Sequence, residues 1–426
     1  MRHSDTRILT THVGSIVRSP DLLQLAADTR DKPDERPRYA AALTRATADI
    51  VARQQEAGLD IVNDGEYGKS SWANYVLDRM TGFEPRPDTL FEAVWLGRDR
   101  TRFSEFMKAE FPRGAVGSPG HACVGPIRYQ GMESIRRNIS DLKTALEGNG
   151  VEEGFLTSVA PASTGYDTVN EYYKDEREYV FAIAEALREE YLEIVNSGLV
   201  LQVDDAVLAN MYDELVQQSP ERYRQWAELR VEALNHALRG IPEDRVRYHV
   251  CFGSWHVPHV ADAPLDAVVS LILKVRAGAY AIEAANVRHE HEWRVWQTVK
   301  LPPGKILIPG VITHHTTTVE HPRLVAVYGS RVNTGFGVFL TLRPAGMKMP
   351  QGTGAASAAQ TPGGRAMVMV QTALDPAKLS CSPGISPPES PKATYQGKTY
   401  YFCTAKERDE FLTDPAMSLS MMPPKQ

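Results

Sequence analysis

Helical and strand-like segments alternate along the first three quarters of this chain. Helix formers and apolar residues at helical spacing predict helices over residues 38–57, 134–146, 176–197, 220–239 and 265–277. Short apolar runs between them predict strands near residues 8–13, 59–66, 122–127, 155–161, 199–205, 246–251, 279–283 and 305–311. Glycine ends several of the helices, as at Gly58 and Gly198. This rhythm is typical of an α/β barrel.

A long irregular stretch interrupts the rhythm after the second strand. Residues 71–113 are rich in aromatic side chains and are long for a single connection, so we interpret them as a lid or side insertion. The run at 122–127 then predicts strand three, in which Cys123 is structural because its neighbours are apolar.

Carboxylates stand where two of the predicted strands end. Glu66 follows strand two, and Asp204 and Asp205 close strand five. Because side chains alternate along a strand, only one of the two adjacent aspartates can face the barrel mouth squarely. Catalytic groups of such barrels sit just past the strand ends. The alternative for Asp64 and Glu66 is a helix N-terminal region, where negative charge suits the helix dipole.

A nitrogen, a sulfur and an oxygen ligand are predicted to meet at two neighbouring strand ends. His249 and Cys251 lie two residues apart on one strand and therefore share a face, while Glu283 closes the next strand. Such donors suit Zn²⁺, whose open position in catalytic sites can take a thiol as thiolate. The alternative is that Cys251 is only a small buried hydrophobe.

Five short motifs resemble the cobalamin-independent methionine synthase family, specifically its short single-barrel members. They are T-T-H-V-G-S at 10–15, V-N-D-G-E at 62–66, Q-V-D-D at 202–205, H-V-C at 249–251 and E-A-A-N at 283–286. The likeness runs from about residue 10 to about residue 325 and keeps the order and intervals of the motifs. It implies a (β/α)8 barrel of the TIM type, which transfers an alkyl group to a zinc-bound thiolate at the C-terminal ends of its strands.

The resemblance also implies roles for individual residues. His249, Cys251 and Glu283 become the zinc ligands, and Glu66 and Asp204 become the acids that hold the amino group of an amino-acid thiol. Predicted to line the substrate site are His12, Ser15, Arg18, Asn286 and His315. For Arg18 a solvated loop position remains an equal alternative.

The resemblance fails near the predicted eighth strand. The family has a cysteine there, the fourth zinc ligand, in a Thr-Asp-Cys-Gly-Phe-like motif, whereas residues 330–337 are Ser-Arg-Val-Asn-Thr-Gly-Phe-Gly. We therefore expect an atypical eighth unit. Three explanations stay open: a three-ligand site completed by water or substrate, substitution by His314 or His315, or a barrel that has lost activity.

The C-terminal part has a different composition. We predict a barrel domain over residues 1–342, a flexible linker over 343–374 rich in Gly, Ala and Pro, and a small α+β module over 375–420. That module resembles the YHS domain, whose first two cysteines match Cys381 and Cys403, while Glu407 stands where many members have a third. The tail is therefore either a weak soft-metal site or a structural module.

Composition narrows the class of protein. The chain has 426 residues, 42% of them hydrophobic, and a net charge of −6, which gives no general reason to expect binding to nucleic acid or membrane. Four scattered cysteines do not make a disulfide framework and fit a reducing cytoplasm. We expect neither a signal peptide nor a membrane span. A homo-oligomer stays open.

These observations lead to a main hypothesis and two alternatives. The main one is zinc-dependent transfer of an alkyl group, such as methyl, to a thiol such as homocysteine. The expected donor is a methyl carrier such as a methylated folate. The expected cofactor is Zn²⁺, and the expected role is methionine biosynthesis. The first alternative is a catalytically degenerate barrel that handles metal through its YHS-like tail. A weaker one is a metal-free barrel related to uroporphyrinogen decarboxylase, which leaves the His249–Cys251 pair unexplained.

Overall fold

The computed structural model describes residues 1–5, 7–30, 32–86, 94–110, 120–148, 150–166, 168–253, 257–313, 321, 339–340, 392–395 and 398–401. The chain divides into two compact units, residues 1–368 and 369–426. Among the helices of the described ranges, none is both long enough and apolar enough to cross a membrane. The domain limits predicted above, and the linker between them, stay predictions.

Eight parallel strands of the first unit close into a barrel. The strands of the described residues are β1 (Thr10–Thr11), β2 (Ile61–Val62), β3 (Phe83–Arg86), β4 (Gly120–Cys123), β5 (Glu153–Val159), β6 (Thr168–Asn170), β7 (Val200–Asp205), β8 (Val246–Val250), β9 (Ala279–Glu283), β10 (Ile306–Gly310), β11 (Phe339–Leu340), β12 (Lys392–Tyr395) and β13 (Lys398–Tyr401). The barrel order is β1-β2-β5-β7-β8-β9-β10-β11, and β11 returns to β1. The predicted α/β class with a parallel sheet is confirmed.

Helices cover the barrel. Those of the described residues are α1 (Pro20–Thr29), α2 (Arg36–Glu56), α3 (Asp99–Arg102), α4 (Ser104–Glu110), α5 (Met132–Leu146), α6 (Glu176–Asn196), α7 (Val207–Asn210), α8 (Tyr212–Val216), α9 (Pro220–Ala237), α10 (Leu265–Ile272) and α11 (Val295–Thr298). Side chains of Ser19, Asp175 and Ser219 accept the backbone hydrogen bond that begins α1, α6 and α9. The predicted long helices are present within a few residues of their expected limits.

The helix predicted over 265–277 is shorter than expected. α10 ends at Ile272, because Asn235 of α9 binds the backbone that follows it. The Asn235 amide donates to the Lys274 carbonyl over 2.9 Å and accepts from the Arg276 N–H over 2.8 Å. These bonds replace the helical ones that a continued α10 would make.

The strand predicted over 122–127 is not part of the barrel. β4 pairs antiparallel with β3 and parallel with β6 in a separate three-stranded sheet, and the third barrel strand is β5. β4 ends at Cys123, shortly before Pro126, which has no backbone N–H to donate. The apolar run predicted a strand correctly, but its pattern carries no information about which sheet the strand joins.

The start of the insertion is anchored to the barrel by a buried carboxylate. Glu190 of α6 is fully buried and accepts from the Tyr75 hydroxyl over 2.6 Å and the Ser158 hydroxyl over 2.7 Å. Its other oxygen accepts from the Arg79 guanidinium over 3.0 Å and from the Tyr129 hydroxyl. The charge is therefore paired and hydrogen-bonded on all sides, as a buried carboxylate requires.

The interior of the barrel is apolar at its base and polar towards the strand ends. Its lower core contains Leu9, Ile61, Phe155, Val200, Ala279, Ala281, Ile306 and Ile308. Arg247 of β8 is only 2% exposed, and its guanidinium lies 4.1 Å from the centre of the Phe155 ring. It donates to the Thr11 hydroxyl over 3.3 Å. Arg247 is therefore a buried cation inside the barrel, held between the Phe155 ring and β1.

Of the second unit, the structure describes the hairpin strands β12 and β13, which pair antiparallel. They coincide with the two strands predicted on either side of Gly397. Cys381, Cys403 and Glu407 lie outside the described residues, as does the segment in which the helix of the eighth barrel unit is expected. The YHS-like module and the atypical eighth unit remain predictions.

We predict that Glu190→Ala destabilises the protein by about 3–5 kcal/mol, because it leaves the buried Arg79 charge without its partner. Urea unfolding followed by circular dichroism measures this loss. Glu189→Ala is the matched control, since Glu189 is exposed on the same helix. Equal stability of the two variants would contradict the anchoring role.

Candidate active site

The loop after β2 holds Glu66 in an unusual backbone conformation. Its φ is 62°, which is uncommon for a residue other than glycine, and Gly65 before it has φ 66°. Two side chains stabilise this turn: Asn63 accepts from the Gly65 N–H over 2.8 Å, and Asp64 accepts from the Glu66 N–H over 2.9 Å. Such strain is typical of functional positions.

The Glu66 carboxylate is buried and surrounded by donors. The Thr157 hydroxyl donates to its Oε1 over 2.6 Å, the Ser15 hydroxyl donates to its Oε2, and the Lys69 ammonium lies 3.6 Å from Oε1. Burial alone would raise the pKa of Glu66. The charge of Lys69 and the hydrogen bonds from Ser15 and Thr157 outweigh burial and lower it. Glu66 is therefore ionised.

Asp204, the residue before the last of β7, lies near Glu66 but has the opposite electrostatic character. Its Oδ1 accepts from the Gln202 amide over 2.8 Å. Burial, followed by the negative charge of Glu66, raises the pKa of Asp204. One carboxylate that ionises readily thus stands near one that resists ionisation, an arrangement that enzymes use to separate the roles of two acids.

Asp205 belongs to the scaffold. Its Oδ1 accepts from the Ser163 hydroxyl over 2.8 Å and from the Leu208 N–H over 3.1 Å, and its Oδ2 accepts from the Tyr248 hydroxyl over 2.8 Å. The expected division between the two aspartates is present, because Asp205 caps the segment that follows β7.

His12 is bound into the wall of the barrel. The Gly14 N–H donates to Nδ1 over 3.2 Å, so the ring proton is on Nε2, which donates to Gln54 over 2.7 Å. Burial lowers the pKa of His12 to about 4. The neutral ring therefore fixes the loop that carries Ser15. Arg18, farther along that loop, is half-buried. Burial raises the pKa of the nearby Tyr67 hydroxyl, and the charge of Arg18 acts in the opposite direction.

The three predicted metal ligands lie on adjacent strand ends. His249 of β8 is opposite Asp204 of β7 on one side and opposite Ala281 of β9 on the other. Continuing that register by two residues brings Cys251 opposite Glu283, the last residue of β9. All three are half-buried at the mouth.

Each predicted ligand also has a protein partner. His249 Nδ1 lies 3.3 Å from the Ala281 carbonyl, the Gly253 N–H donates to the Cys251 sulfur over 3.2 Å, and the Thr313 hydroxyl donates to Glu283 over 3.3 Å. Within the described residues, no three His, Cys, Asp or Glu side chains are gathered closely enough to hold a metal ion.

Asn286 shapes the loop after β9. Its Oδ1 accepts from the Arg288 N–H over 2.8 Å and from the His289 N–H over 2.9 Å, as in an Asx turn. The side-chain oxygen of Asn286 therefore has a structural role in this turn. His315, predicted to line the substrate site, lies outside the described residues, as does His314.

His289 is a buried site residue that sequence reasoning missed. It is 2% exposed, stacks on Phe252 with ring centres 3.9 Å apart, and lies 2.7 Å from Glu292 and 3.4 Å from Asp262. Burial would lower its pKa, but the two carboxylates raise it to about 9. His289 thereby joins the loop after Cys251 to the loop after Glu283.

The sequence hid His289 because His289-Glu290-His291-Glu292 has the pattern of a solvated helix start. A small cleft of about 20 Å³ lies beside Phe252 and is also lined by Trp95 and His259.

Comparison with known proteins supports the resemblance found in the motifs. No family model matches the chain. Over 272 residues the chain is 22% identical to a methionine synthase of Sulfolobus acidocaldarius. This match covers 63% of this chain and 69% of that protein. Over 295 residues it is 26% identical to a 5-methyltetrahydropteroyltriglutamate–homocysteine methyltransferase of a Synechococcus species, covering 66% of this chain and 34% of that protein.

A solved structure supports the fold. The B12-independent methionine synthase of a Shewanella species, in complex with selenomethionine, superposes with a TM-score of 0.55 at 16% identity and covers 79% of this chain and 91% of that one. The predicted resemblance to cobalamin-independent methionine synthases is thus confirmed for about two thirds of the chain. The likeness of the tail to a YHS domain stays a prediction.

We predict that Gly14→Ala displaces the Glu66 carboxylate. A Cβ at Gly14, where φ is 153°, would lie 2.9 Å from Glu66 Oε1 and 3.2 Å from Thr157 Cγ2. We expect a loss of about 1–3 kcal/mol in urea unfolding from this overpacking. Gly304→Ala is the control, because Gly304 also has positive φ but no atom within 4 Å of the added Cβ. An equal loss of stability in both variants would contradict the predicted clash with Glu66.

We predict that Asp204→Asn stabilises the protein increasingly as pH rises. Because the pKa of Asp204 is raised in the folded state, wild-type stability falls as pH rises from about 4 towards that raised pKa. The thermal midpoint of the variant should exceed that of wild type by about 2 °C or more at pH 8, and the gap should close near pH 4. The exposed Asp266→Asn serves as control. A gap independent of pH would refute the raised pKa.

Proposed function

We propose that this protein is a zinc-dependent methyltransferase that transfers a methyl group to the sulfur of homocysteine or a similar amino-acid thiol. The main support is the placement of the Glu66–Asp204 pair next to the strand ends that carry His249, Cys251 and Glu283. The relatives named as methionine synthase and homocysteine methyltransferase agree with this assignment.

The substrate amine would bind at the two carboxylates. An ammonium group is attracted to the ionised Glu66, and its approach favours loss of the proton from Asp204, whose pKa is raised. Ser15 and Thr157 hold Glu66 in place, so the amine would meet a carboxylate that needs little reorientation. The register of β7 and β8 puts Asp204 beside His249, so the substrate sulfur would lie towards the predicted ligands.

The donor set fits zinc. A thiol, an imidazole and a carboxylate are the ligand types that Zn²⁺ accepts in catalytic sites, and three protein ligands leave one position open. The contact between His249 Nδ1 and the Ala281 carbonyl keeps the Nδ1 proton in place and leaves the lone pair on Nε2, as is usual for a metal-binding histidine. The Gly253 N–H stabilises negative charge on the Cys251 sulfur.

Zinc, when bound, would lower the pKa of the substrate thiol and hold it as the nucleophile. The remaining work falls to the protein. The carboxylate pair orients the substrate, and the loops joined by His289 shape the mouth. A methylated folate is the methyl donor that we propose.

We predict about one zinc per purified chain, and a loss of that zinc in Cys251→Ser but not in Cys123→Ser, whose buried thiol lies in the side sheet. Metal analysis measures the zinc, and methionine formation from L-homocysteine and a methylated folate measures the activity. Both should fall together when a chelator removes the metal.

Two results would contradict this proposal. The first is the absence of zinc in every form even after zinc is supplied. The second is metal that is lost only in Cys403→Ser, which would move the metal site to the tail and favour the metal-handling alternative.

A further inference from the structure

Lys69 is a buried cation next to Glu66, and no sequence pattern singled it out. It is only 5% exposed, and its ammonium donates to the Thr157 carbonyl over 2.9 Å and to the Thr157 hydroxyl. The same nitrogen lies 3.6 Å from Glu66 Oε1 and 4.7 Å from the centre of the Tyr75 ring. Burying an ammonium group is costly unless it is paired, so this placement needs an explanation.

The contacts of Lys69 converge on one carboxylate. Thr157 is the second partner of both groups, since its hydroxyl also donates to Glu66. The lysine therefore ties Glu66 to β5 through a shared neighbour as well as through charge. By contrast, the buried Arg79 is paired with Glu190 of the scaffold.

The other charged and titratable groups around Glu66 do not replace this role. Asp64, in the same loop as Glu66, adds negative charge, and His12, in the loop after β1, is neutral. Asp204 of β7 repels the Glu66 carboxylate. Arg247 of β8 acts on Asp204. Ser15 and Thr157 donate hydrogen bonds but carry no charge. Lys69 is the cation that acts directly on the Glu66 carboxylate.

We propose that Lys69 is a positioning residue that keeps Glu66 negatively charged and fixed, so that this carboxylate can bind the ammonium group of the thiol substrate. The inference rests on the proposed function, which supplies the amine-bearing substrate. Without Lys69, burial and the nearby Asp64 and Asp204 would favour the protonated form of Glu66. A neutral carboxyl group cannot pair with an ammonium group.

The test compares Lys69→Met and Lys69→Gln with Lys69→Arg, and uses Lys108→Met, on the exposed side of α4, as control. We expect both uncharged variants to raise the KM for L-homocysteine about tenfold or more at pH 7, with a smaller change in kcat, and to regain affinity as pH rises through the new Glu66 pKa. Lys69→Arg should restore much of the affinity. A KM that does not depend on the charge at position 69 would overturn the proposal.

A second readout does not need turnover. Carboxyl-carbon NMR of the zinc-loaded, glutamate-labelled protein, with the Glu66 signal assigned through Glu66→Gln, reports the ionisation of Glu66 directly. Removal of the Lys69 charge should raise the titration midpoint of Glu66 by about one to three pH units. An unchanged midpoint in the uncharged variants would overturn the proposal.

The two readouts separate failure of the function from failure of the inference. Wild-type protein that neither binds nor methylates L-homocysteine would contradict the proposed function, and the NMR midpoint would then decide the role of Lys69 alone. If Lys69→Met does not fold, Lys69→Gln, which keeps a polar group near Thr157, supplies the same comparison.

Discussion

The in-register pairing of the parallel strands from β5 to β10 is the constraint on which the site depends. It aligns Asp204 with His249 and, two residues farther on, Cys251 with Glu283, although these residues lie up to 79 positions apart in the chain. A shift of one residue in any pair would turn these side chains to the other face of the sheet. The chemistry at the mouth is therefore specified by backbone hydrogen bonds as much as by the side chains themselves.

The two carboxylates of the site differ in their charge state. Glu66 is held ionised by a lysine and two hydroxyl groups, while Asp204, in the same wall, is pushed towards its protonated form. Two ionised carboxylates in a buried wall would repel each other strongly. The asymmetry lets the free protein avoid that repulsion and lets a cationic substrate group supply the missing counter-charge.

Much of this could be predicted from the sequence, because it depends on local patterns. Most helices and strands could be located from helical spacing, from glycines that end helices and from acidic residues at strand ends. Short motifs pointed to Glu66, Asp204 and His249. The strand at 120–123 was assigned to the wrong sheet, since partner choice depends on distant residues. Lys69 and His289 were missed because only the fold shows that these charged side chains are buried among carboxylates.

Arg247 has a consequence for the barrel as a whole. Although burial lowers its pKa to about 10, its guanidinium remains charged at neutral pH inside the barrel. The negative charges of Glu153 and Asp204 act against this burial penalty, so carboxylates of β5 and β7 help to keep the arginine charged. Loss of either carboxylate would also disfavour the charged form of Arg247, so the interior of the barrel and its mouth are electrostatically coupled.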